Sequence, residues 1–109
     1  MTVKVVVLYP NNEGATFNLD YYLSTHMPLV SDSWKQYGLK GWEVLQFQPG
    51  SDGAKPSHSI QATLLFDNAE DVQKALGSPE AAGVMGDIPK FTNTQPILLA
   101  GELVKTATH

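Results

Sequence analysis

Val3 to Tyr9 is a nearly unbroken, β-branched apolar run, which predicts a strand covered on both faces. Pro10 to Ala15, with two Asn and a Gly, is turn chemistry. Asn18 is placed to cap a helix running through Tyr22 and His26. Pro28 removes a backbone donor inside that helix, so a kink or restart is expected there. Beyond it Val30, Trp34 and Tyr37 continue the apolar stripe, and Gly38 suits the stop. Gly41–Gln48 alternates Trp42, Val44 and Gln46 against Glu43, Leu45 and Phe47, a second strand. His58–Phe66 alternates Ile60, Ala62, Leu64 and Phe66, a third strand. The Gly- and Pro-bearing stretch between them reads as the link of a hairpin. Asp67 and Glu70 are expected to form a capping box for a helix carrying Ala69, Val72, Ala75 and Leu76. Ser78-Pro79-Glu80 opens another helix, 86–94 is irregular, and Ile97–Val104 is a fourth strand.

The order β-α-β-β-α-β predicts an α+β fold of the ferredoxin-like kind, a four-stranded antiparallel sheet with helices on one side. Both faces of the first strand are apolar, Val5 and Val7 against Val6 and Leu8. The helices can cover one face. The other is expected to pack on the sheet of a second copy.

A length of 109 residues is expected to make one domain, 1–109. Cysteine is absent, which excludes disulfides, thiolate metal sites and cysteine nucleophiles and favours a cytoplasmic setting. The net charge is −4, and the seven cations are all lysines, scattered singly. Nucleic acid is therefore not an expected partner. No apolar run approaches the roughly 18 residues of a membrane span, and the start lacks a signal-peptide pattern.

His26, His58 and His109 have no metal-ligand spacing, and no glycine-rich phosphate loop or nucleophile elbow follows a strand. Neither metal nor tightly held cofactor is expected. Tyr22 and His26 are four apart and share a helical face with Leu19 and Val30, so both polar tips are expected to point inward. An inward histidine can exchange protons near neutrality, and a phenol beside it can donate to a developing oxyanion. The same histidine could instead be a hydrogen-bonded core residue. Asp87, in an irregular segment before the last strand, either positions the histidine or merely forms a turn. Tyr9, Trp34, Phe47 and Phe91 are the aromatic positions assigned to substrate contact, with core or dimer packing as the alternative.

Tyr9-Pro10, Phe17, Tyr21-Tyr22 and His26-Met27-Pro28-Leu29 resemble the first half of EthD-like proteins. Gly38-Leu39, Gly41, Gly86-Asp87-Ile88-Pro89, Phe91-Thr92 and Pro96 resemble its later landmarks, so the likeness runs from Val3 to Val104. It implies a ferredoxin-like fold, a homodimer whose two sheets form a barrel, and His26 and Asp87 among the characteristic polar positions. Two residues depart from the pattern: Asn18 where Asp is expected and Lys90 where Asn is expected. EthD-like proteins are associated with breakdown of small organic compounds such as ethers. Relatives in the wider superfamily include cofactor-independent monooxygenases, lactone isomerases, dehydratases and haem-degrading enzymes.

The expectation is thus a cofactor-independent small-molecule enzyme using a histidine acid or base. Oxygenation, isomerisation or dehydration of an apolar or aromatic compound would suit the site. The alternative is a non-catalytic binding or accessory protein of an oxidative degradation pathway. One fold with so many reactions does not choose between them.

Overall fold

The structure, a computed structural model, describes residues 2–109. Strand β1 (Val3–Pro10) is followed by helix α1 (Leu19–Tyr21), a π-helical segment (Tyr22–His26), helix α2 (Met27–Trp34) and a 3₁₀ turn (Lys35–Tyr37). Strands β2 (Gly41–Gln46) and β3 (His58–Phe66) come next. Helices α3 (Ala69–Leu76) and α4 (Glu80–Gly86), a 3₁₀ turn (Ile88–Lys90) and β4 (Ile97–Glu102) complete the order. The sheet runs β2-β3-β1-β4 with every neighbour antiparallel, the ferredoxin-like arrangement.

Register decides which side chains share a face. Val5 lies between Leu64 and Ala100, and Val7 between Ala62 and Leu98. This face, with Val3, Tyr9, Ile60 and Phe66, packs beneath the helices and forms the core. The opposite face carries Val6 beside Leu99, Leu8 beside Ile97, and Leu45 on β2. Within the single chain it is uncovered: Leu99 is 57% and Leu45 50% exposed.

Asn18 caps the first helix by accepting the Tyr21 N–H, and Gly38 ends it at φ +105°, in the left-handed region that favours glycine. Pro28 has the predicted effect in a specific form. With no N–H at Pro28 for the Ser24 carbonyl, the preceding turn widens, and Met27 N–H bonds Tyr22 O, five residues back.

The second helix corrects one expectation. Its cap is Asn68, whose side chain accepts the Asp71 N–H at 2.8 Å. Asp67 and Glu70 instead pair with Lys40 and Lys74 at the surface. Asp67 lies one residue too early for its carboxylate to reach the first free amides. Strands β2 and β4 also end two residues sooner than the alternation suggested.

Candidate functional site

Asp87 reaches the first helix because two distant loops close on each other. Phe17 and Thr92 form an isolated bridge, and the Asn18 N–H bonds Phe91 O at 2.7 Å. Thr92 Oγ1 donates to Thr16 O at 2.7 Å, and Asn93 spans Thr16 N–H and Gly14 O. These bonds fix the 3₁₀ turn after Asp87 against the start of α1.

The result is a buried polar cluster, with His26 3% and Asp87 6% exposed. His26 Nδ1 lies 2.9 Å from Asp87 Oδ2, and the Tyr21 hydroxyl donates to Oδ1 at 2.8 Å. Lys90 Nζ, itself mostly in solvent, stands 3.7 Å from Oδ1. The His26 ring stacks on Tyr22, with centroids 5.3 Å apart and planes at 16°, and leans on Phe91 at 4.6 Å. Tyr9 and Phe17 pack edge-on to Tyr22 and Phe91, so the imidazole is held by aromatic walls.

Charge assigns the protons. Burial alone pushes the Asp87 carboxyl up, but hydrogen bonds from His26 and Tyr21, with the Lys90 charge nearby, outweigh it and hold it below the usual range. Burial pulls His26 below its ordinary 6.5, with the Asp87 bond and charge only partly opposing. At neutral pH the pair is therefore a carboxylate and a neutral imidazole. A carboxylate accepts only, so Nδ1 carries the ring proton and the Nε2 lone pair is free. Nε2 has no hydrogen bond among the described residues.

His26 also lines a cleft between the helices and the sheet, together with Tyr9, Tyr22, Trp34 and Leu98. Its free space is about 430 Å³, counting the solvent at its mouth, of which only about 30 Å³ admits the centre of a water molecule. Entry of a ligand therefore needs rim side chains such as Leu76 and Met85, both partly exposed, to turn aside. The walls are almost wholly apolar. Burial pushes the Tyr9 phenol up to about 12, against a hydrogen bond with Tyr22, and burial beside Tyr9 raises the Tyr22 phenol, so both stay protonated. Trp34 is 2% exposed and its indole N–H has no partner, the sole such buried side-chain atom among the described residues. An orphan donor of this kind costs about 1–3 kcal/mol.

Of the positions expected from sequence, Tyr9, Tyr22, His26 and Trp34 line this cleft. Asp87 and Phe91 stand behind the imidazole, Asp87 as its hydrogen-bond partner and Phe91 as a packing wall. Phe47 lies beyond the end of β2, half-buried, and is not brought to the cleft. Tyr21 and Phe17, named above only as part of the EthD likeness, join the site as well. In a regular helix positions five apart point roughly 140° away from each other, which separates Tyr21 from His26. The widened turn before Pro28 reduces that angle, and both side chains reach one carboxylate. Helical spacing could not disclose it, although a phenol adjoining Tyr22 was a signal to test.

The EthD domain family matches residues 15–95, three-quarters of the chain, including every member of the polar cluster. The chain belongs to the EthD family. This EthD domain is 31% identical to the crystal structure of an EthD-like protein from Ralstonia eutropha JMP134 (98% of this chain, 96% of that one, TM-score 0.88). At the level of fold alone it is similar to SnoaB, a cofactor-independent oxygenase from Streptomyces nogalater (11% identity, 99% and 97% covered, TM-score 0.68). A dimeric protein of ferredoxin-like fold and unknown function from Bacteroides fragilis NCTC 9343 is likewise similar (16% identity, 94% and 96% covered, TM-score 0.56). No curated protein sequence matches the chain. No helix of the described residues is long and apolar enough to cross a membrane.

Proposed function

We propose that this EthD domain is a cofactor-independent small-molecule enzyme in which His26 takes a proton from a neutral, apolar or aromatic substrate. One observation carries the reading: Asp87 Oδ2 lies 2.9 Å from Nδ1 of an imidazole that lines an apolar cleft, where burial favours the neutral ring and hydrogen bonding favours the carboxylate. Nε2 is then the base, Asp87 and Tyr21 hold its tautomer, and the Tyr22 phenol donates to the oxygen on which charge develops. Removal of a proton alpha to a carbonyl or from a phenol is the first step common to isomerisation, dehydration and cofactor-free oxygenation. The likeness to SnoaB favours oxygenation among these, with O₂ as the oxidant.

The working form is proposed to be a homodimer in the cytoplasm, its uncovered sheet faces packed together. The exposed Leu45, Ile97 and Leu99 support a second copy as the cover, as does the dimeric relative.

The test is turnover of a panel of phenols, naphthols and small lactones, with oxygen uptake recorded. His26→Gln is expected to lower the rate by at least about 10²-fold, the usual contribution of a positioned base. Equal rates for His26→Gln and the parent would remove His26 from the chemistry. Ligand binding without turnover by the parent would make this chain a carrier instead.

A further inference from the structure

The cleft floor holds a group that the proton-transfer chemistry does not use. Trp34 ends α2, eight residues after His26, so the two are based about 12 Å apart along the helix axis. Trp34 is among the residues lining the cleft, yet its buried N–H meets no acceptor among the described residues. The other tryptophan behaves as an indole N–H usually does: Trp42 Nε1 donates to Ser31 Oγ at 2.7 Å. Buried donors are satisfied in the great majority of cases, and an exception on a residue that lines a cavity points to a partner that arrives from outside. Of the residues lining the cleft only Tyr9 and Tyr22 carry a side-chain oxygen, and neither meets the indole N–H.

We infer that the Trp34 indole N–H anchors an acceptor oxygen of the ligand, at the end of the cleft away from His26. The reading rests on the cleft being a ligand site, as proposed above, and adds a substrate class. The ligand is uncharged, because the residues lining the cleft include no Asp, Glu or Lys. It is extended and mostly apolar, and carries a carbonyl or ether oxygen set well apart from the reacting carbon. A ligand that filled the cleft without supplying an acceptor would leave the N–H unpaired, which is how a buried donor discriminates.

The probes are 1-tetralone and tetralin, which differ by one carbonyl oxygen and share nearly the same shape. Affinities for the parent protein and Trp34→Phe would be measured by calorimetry. Tetralone is expected to bind the parent several-fold more tightly than tetralin, and Trp34→Phe to erase that preference with a loss of about fivefold or more for tetralone. In ¹⁵N-tryptophan protein, the Trp34 indole proton should move downfield with tetralone beyond its shift with tetralin, while Trp42 stays fixed. This reading needs no substitution, so a poorly folded variant would not leave the idea unchecked. Equal affinities for both probes in the parent, or an indole proton indifferent to the carbonyl, would overturn the anchor while leaving His26 as the proposed base. Failure of both probes to bind at millimolar concentration would overturn the anchor together with the cleft as a ligand site.

Discussion

Replacing Asp87 by Asn tests the protonation argument with the smallest change of shape. Two hydrogen bonds end on this buried carboxylate, from Tyr21 at 2.8 Å and His26 at 2.9 Å. Bonds to a charged acceptor contribute about 1.5–3 kcal/mol each, and neutral ones about 1. The pair should therefore lose about 2 kcal/mol, offset in part because an amide is easier to bury than a carboxylate. A net loss of about 1–2 kcal/mol lowers Tm by roughly 5–15 °C in a domain of this size. The larger effect is on the tautomer. Tyr21 still needs an acceptor for its proton, and Lys90 lies on the same side, so the amide oxygen should stay there. The amide NH₂ then faces Nδ1, which must accept, and the proton moves to Nε2. The base is lost with the geometry intact. Two-bond ¹H–¹⁵N correlation spectra of ¹⁵N-histidine protein at pH 7.5 read this directly. The parent should show a protonated Nδ1 and bare Nε2, and the variant the reverse. An imidazolium in the parent, a proton on Nε2, or no change in the variant would each refute the reasoning.

Acid should weaken the fold in two windows. His26 is held below 6.5, so the unfolded chain takes up its proton first, and stability falls as pH drops below about 6.5; Asp87, held below 3.8, adds a second loss under that value. Urea midpoints at pH 7.5 and 5 check the first window, and a midpoint that is unchanged or higher at pH 5 would contradict it. Gly38→Ala should cost about 1–2 kcal/mol by chemical denaturation, since a Cβ there at φ +105° would lie 2.5 Å from Asp71 Oδ2; a neutral result would mean the turn relaxes freely. Leu99→Glu on the uncovered face should convert a dimer to monomers by light scattering while leaving the far-UV spectrum unchanged. A parent that is monomeric at 100 μM (a concentration chosen for about micromolar pairing) would remove the two-sheet dimer.

Local chemistry wrote much of this molecule into its sequence. The alternation of β3, the Asn18 cap, the Gly38 stop and the interruption at Pro28 each depend on residues within a turn or two of one another. Their periods identify strands and helices, and the β-α-β-β-α-β order follows from them. His26 was legible as a candidate because it shares an inward helical face with Tyr22, and Asp87 because it sits in an irregular segment before the last strand. What lay beyond the sequence was everything that depends on closure between distant segments. Asp87 is 61 residues from His26, and only the zipped loops at Phe17 and Thr92 bring the two within 2.9 Å. Tyr21 joins them through a widened turn that regular helical spacing hides. The unpaired indole of Trp34 is likewise a tertiary fact, since a missing partner is defined by all the atoms around it. Periodicity specifies which face a residue occupies; packing alone decides what that face meets.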